Sequence, residues 1–73
     1  RFHLANPSTD RLSVACETDI EQYMIYDMTG SLVFCHKAGN CAFDIDVQEL
    51  PFGIYLLSLC TKDGVTNKRF VKN

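Results

Sequence analysis

Cysteine, histidine and closely spaced aspartate are the residue types in this chain that could support chemistry. Cysteines stand at positions 16, 35, 41 and 60, and the two histidines are His3 and His36. No cysteine pair has C-x-x-C spacing, which a zinc ribbon or a thioredoxin-type redox site requires. Cys35 and His36 are adjacent, but neighbours on a strand point to opposite faces, so they do not form a nucleophile and its base. Asp44 and Asp46 share one face of an extended segment, as the two acids of a glycosidase do. The solvated face of an alternating strand is the plainer reading of that pair.

The cysteines have two readings. In one they are reduced and act as small buried hydrophobes. In the other they form disulfides. Cys35 and Cys41 flank a five-residue connection and would face each other across a hairpin. That bond would close a short loop, contributing about 2 kcal/mol on a chain-entropy model, and a Cys16–Cys60 bond would contribute about 4 kcal/mol.

These side chains must be positioned by a single small domain. The chain has 73 residues, 47% of them apolar and 22% charged, with five Phe and three Tyr. These are globular values, although a chain this short buries only about 60% of its unfolded surface. Net charge is −2, from seven basic and nine acidic residues. Nucleic-acid surfaces carry a clear basic excess, so that class of partner is not expected. The longest apolar run, Ile54 to Leu57, is far short of the roughly 20 residues that span a bilayer as a helix. The chain opens on Arg1 rather than Met, which suggests a single domain, residues 1–73, that is a fragment or processed piece of a longer protein.

The apolar pattern has period two and is punctuated by turn residues every eight to twelve positions, which predicts an all-β fold. Leu12, Val14 and Cys16 mark one strand, Tyr23 to Met28 a second and Ser31 to His36 a third, with Thr29-Gly30-Ser31 as a hairpin turn. Lys37-Ala38-Gly39-Asn40 reads as the next turn, and Cys41 to Asp46 as the strand after it. Ile54 to Thr61 is apolar on both faces and reads as the central strand. Lys62-Asp63-Gly64 is a tight turn, and Val65 to Lys72 is the last strand. No segment reads as a helix, since Pro51 stops the one candidate turn at 46–50. The sum is a small Ig-like antiparallel β-sandwich of about seven strands.

Four segments, in order, carry a family likeness. They are Asn6-Pro7-Ser8-Thr9-Asp10-Arg11-Leu12, Ile25-Tyr26-Asp27-Met28-Thr29-Gly30-Ser31-Leu32-Val33, Leu50-Pro51-Phe52-Gly53-Ile54-Tyr55 and Lys68-Arg69-Phe70-Val71-Lys72-Asn73. The chain resembles, over nearly its whole length, the C-terminal sorting domain of type IX secretion cargo in Bacteroidetes. It departs from the family pattern in having Leu4-Ala5 where an aromatic often precedes Asn-Pro, and in its four cysteines.

The resemblance implies a secretion signal that performs no chemistry. Such a domain crosses the periplasm with its cargo and is recognised by the type IX machinery at the outer membrane. A surface sortase-like protease then removes it, leaving the cargo at the cell surface or secreted. The expected partners are that machinery and that protease, with no nucleic acid and no small-molecule substrate. A homodimer by edge-strand pairing or strand exchange is also expected. Catalytic residues, cofactors and metals are not. Recognition falls to Lys68, Phe70, Val71, Lys72 and Asn73, the terminal motif, with Lys72 and Asn73 favoured because chain ends rarely pack. Asn6, Pro7, Asp27, Gly30, Pro51, Gly53 and Tyr55 are expected to serve mainly the fold. The alternative function is a non-catalytic Ig-like or carbohydrate-binding module of a secreted enzyme.

Overall fold

A computed structural model describes the backbone of residues 2–5 and 10–73, with side chains from residue 10 onward. The expectations for Asn6 and Pro7 lie outside the described residues. The chain is all-β: β1 (Phe2–Ala5), β2 (Arg11–Tyr26), β3 (Leu32–Asp46), β4 (Gly53–Thr61) and β5 (Gly64–Lys72). All pairings are antiparallel, in one five-stranded sheet of order β1-β2-β4-β5, with β3 also paired to β2. As the sequence predicts, β4 is an inner strand, flanked by β2 and β5, and no helix occurs among the described residues.

Among the described residues five strands replace the expected seven or so, because two apparent strand boundaries are bulges inside longer strands. β2 buries Leu12, Val14 and Ile20, all even positions, and then Ile25, an odd one. Its register shifts between Ile20 and Gln22 against both β3 and β4. A one-residue shift exchanges the two faces of a strand, so the apolar set changes parity without the strand ending. β3 makes the matching change. Phe34 and Ala38 pack against the core from even positions, and Phe43 and Ile45 from odd ones. Between them Lys37 pairs with Gln22 and Asn40 with Ile20, so β3 holds one extra residue there. Gly39, with φ of +81°, lies in this interval. The Lys37–Asn40 segment is therefore a bulge that glycine makes accessible, and not a turn.

The paired bulges bring the two ends of the β2–β3 hairpin to a common core. Leu12, Val14 and Ile45 from its open end join Ile25 from its other end, Leu57 and Leu59 of β4 and Phe70 of β5 in a single buried cluster. Tyr23 and Phe43, which are not register partners, stack across the bend with ring centroids 5.5 Å apart and planes 26° apart. The far end is closed by backbone. Val47 N–H donates to Asp10 C=O at 2.9 Å, and Leu50 N–H to Val47 C=O at 3.0 Å, which seats Val47 and Leu50 in the core.

Candidate functional site

The last strand is the natural place to start, because it carries the candidate recognition residues. β5 pairs with β4 from Thr61–Gly64 to Gly53–Lys72. Among the described residues no strand pairs with its other side. Near its end the strand divides its residues between two tasks. Phe70 and Lys72 are buried, at 2% and 7% exposure, whereas Lys68, Arg69, Val71 and Asn73 are exposed.

The burial of Lys72 corrects the expectation that the chain end does not pack. Its ammonium donates to the Leu50 carbonyl at 2.8 Å, 22 residues away in sequence. A buried ammonium is costly unless hydrogen-bonded, and this bond meets that need while the aliphatic stem covers apolar surface. Lys72 is therefore a tether, and its charge is not free for steering.

The residues that receive it are Leu50 to Tyr55. Tyr55 is the register partner of Phe70, and their rings stack at 5.6 Å and 22°. The Tyr55 hydroxyl donates to the Pro51 carbonyl at 2.6 Å, closing a corner over the intervening residues. Gly53, opposite Lys72, has φ of +151°, which a side chain would resist. Thus Pro51, Gly53 and Tyr55 build the seat, and Phe70 and Lys72 occupy it.

The 25–33 motif also reaches β5. Asp27 organises its turn: one carboxylate oxygen accepts from Thr29 N–H at 2.9 Å, Thr29 Oγ1–H at 2.6 Å and Ser31 N–H at 3.0 Å. These bonds, led by that from the Thr29 hydroxyl, hold the carboxyl below its ordinary range. Gly30 completes the turn with φ of +89°, donating its N–H to the Asp27 carbonyl at 3.0 Å. Asp27 and Gly30 then line an open groove of about 480 Å³ together with Tyr26, Met28, Leu56 and Arg69. Arg69 belongs to the terminal motif and is the register partner of Leu56.

The groups that suggested chemistry are placed elsewhere and apart. Cys35 and Cys41 lie on the same strand, β3, rather than on two arms of a hairpin, and all four cysteines are free. Six residues along a strand span about 20 Å, far beyond a disulfide's reach, so of the two readings of Cys35 and Cys41 this fold accommodates the reduced one. Cys35 Sγ instead accepts from Gln22 Nε2 at 2.9 Å. His36 packs against Tyr23 and Phe34, with centroids at 5.6 and 5.7 Å. Asp44 accepts from Ser13 Oγ at 2.8 Å and faces Arg11 at 3.8 Å, while Asp46 accepts from Gln48 N–H at 3.0 Å. Both carboxylates act as local backbone and strand ties.

Sequence reasoning missed the Leu50 carbonyl and the outward side chains around the terminal motif. Ile54, 43% exposed, is the register partner of Val71, 41% exposed, and Phe52 is 83% exposed. Their motif positions alone do not distinguish seat from surface. That distinction depends on register, which period-two alternation does not fix across strands.

Three of the four sequence motifs thus meet at β5. The family model described as a secretion system C-terminal sorting domain matches residues 5–73. This chain belongs to that family. The match covers all the strands from β2 onward. No curated protein matches the chain. The sorting domain is accordingly a type IX secretion signal whose role is export to the cell surface or medium through contact with the secretion machinery. A sorting tail is a non-catalytic element.

Proposed function

We propose that the type IX machinery reads this sorting domain through β5 and the surface beside it. The supporting observation is the convergence on one strand. The 50–55 motif seats Phe70 and Lys72, the 25–33 motif shares a groove with Arg69, and Lys68, Val71 and Asn73 face outward. In this account Phe70 and Lys72 contribute to recognition by holding the strand, and Lys68, Val71 and Asn73 make contact. An extended receptor segment would add to the sheet by main-chain hydrogen bonds, with side chains setting specificity.

The proposed course is transit through the periplasm, passage across the outer membrane and removal by a surface sortase-like protease. The two arms of the sheet fold over their common core in the layered manner of a small sandwich, which the shared cluster of Leu12, Val14 and Leu57 supports.

The test is a periplasmic reporter fused ahead of the chain, in strains with and without the type IX machinery. Surface or medium delivery only in the first strain, with the domain missing from the released reporter's mass, is the expected result. A folded fusion that stays periplasmic in both strains would overturn the reading. Binding to a glycan array would then favour the carbohydrate-binding alternative.

A further inference from the structure

β4 turns one face to the core and the other away from it. Tyr55 and Leu57 belong to the buried cluster, so Ile54 and Leu56 between them lie on the opposite face. Directly opposed residues of antiparallel strands share a face. The register therefore sets Ile54 beside Val71, and Leu56 between Tyr26 and Arg69. Ile54 and Val71 are exposed, and Met28, which lines the same groove as Leu56 and Arg69, is 64% exposed. A contiguous group of exposed apolar side chains on a small domain marks a place where something docks.

The charges on this face say what that is. From the Ile54–Val71 pair to the Cys60–Val65 pair, with their partners on β2 and β3, the charged side chains are Arg69 and Lys37, both cations. Among the described residues no carboxylate lies within ion-pair distance of Arg69. Asp27, at the rim of the groove, is committed to its own turn, where one oxygen accepts three hydrogen bonds. A guanidinium set among apolar side chains selects a carboxylate, which it can hold by two parallel hydrogen bonds. Arg, Tyr and Met are also side chains enriched where proteins bind proteins. A lipid surface fits less well. Anionic headgroups are held by clusters of several cations, whereas Arg69 and Lys37 stand on different edges of the sheet and the chain's net charge is −2.

We propose that this face docks a segment of the secretion machinery in which apolar side chains flank one carboxylate. The carboxylate pairs with Arg69, and the apolar side chains cover Ile54, Leu56 and Met28. The inference rests on the reading of β5 as the recognised strand and adds the chemistry of the segment that reads it.

The test titrates the isotope-labelled full chain with two peptides, N-acetyl-Leu-Ser-Glu-Ser-Leu-amide and the same peptide with lysine in place of glutamate. In an extended peptide the two leucines and the central charge lie on one side. The expected result is chemical-shift change at Met28, Ile54, Leu56 and Arg69 with the glutamate peptide, and several-fold weaker binding of the lysine peptide. Arg69→Glu should reverse that order, and Arg69→Gln should abolish the preference. Melting temperatures near the parent's would show that both variants are folded. A reporter fusion carrying Arg69→Glu should be delivered several-fold less than the parent fusion. Shifts with neither peptide, equal binding of the two by the parent, or delivery of Arg69→Glu at the parent's level would overturn the inference. Sedimentation with phosphatidylglycerol vesicles without selection between the peptides would also overturn it, and would give the face to a membrane. A parent fusion that is not delivered would contradict the reading of β5, whereas a delivered parent fusion whose chain does not select between the peptides would contradict this inference alone.

Discussion

Two margins of the sheet, β5 and β3, handle exposure in opposite ways. On the β5 side, Lys72 is tied to Leu50, Tyr55 is tied to Pro51, and Tyr55 and Phe70 stack, so the end of β5 is anchored to the core. On the β3 side, a strand of 15 residues carries only one fully buried apolar side chain, Ile45, and keeps its shape through a bulge and a row of half-buried rings. The margin on which the motifs converge is tied by hydrogen bonds and stacked rings, and the other is held mainly by half-buried side chains. Ordering a strand before it meets a receptor lowers the entropic cost of binding, so on the proposed reading the fold-serving motif residues would contribute to recognition.

The difference is tested most severely by removing Phe70. Phe70→Ala should cost about 3–5 kcal/mol, comparable to the total stability of a domain this small. A urea melt should show it largely unfolded. Phe34→Ala, at a half-buried site on the β3 side, should cost clearly less. Equal losses would erase the contrast between the margins.

Lys72→Met comes next. It keeps the stem but removes the bond to Leu50, and hydrogen bonds to charged groups are worth about 1.5–3 kcal/mol. Methionine needs no desolvated charge, so the loss should fall at the lower end. Tyr55→Phe keeps the stack with Phe70 and removes the hydroxyl bond to Pro51, for about 1 kcal/mol in the same melt. If it melts with the parent, the corner is held by packing alone.

The smallest effects are in pH. The carboxyl of Asp27 titrates below its ordinary value in the folded state, so its contribution is complete above the ordinary carboxylate range and is lost as pH falls through the lowered value. Asp27→Asn should flatten the acid limb of stability against pH. Burial raises the Tyr23 phenol, so its contribution is complete below the ordinary phenol pKa and is lost as pH rises through the raised value. Tyr23→Phe should flatten the alkaline limb.

Much of this was legible in the residues. Alternation located both ends of β2 and of β3 and most of β4 and β5, while Lys62-Asp63-Gly64 marked the last hairpin and Thr29-Gly30-Ser31 the first, because local backbone chemistry fixes each. The four motifs located the family. The strand count was not legible, because a bulge and a turn both interrupt period two, and Gly39 suits either. The tether of Lys72 was hidden for another reason. Its partner is a backbone carbonyl, which has no signature in sequence, and is brought near only by the β4–β5 register.

The central claim is that the buried residues of the terminal motif hold β5 and the exposed ones are read. It is tested most directly by a reporter fusion carrying Lys68→Glu and Val71→Ser with Asn73 deleted, scored for surface delivery alongside its melting temperature. The account predicts a domain that melts near the parent's temperature and leaves the reporter in the periplasm. Delivery at the parent's level by that folded variant would contradict it.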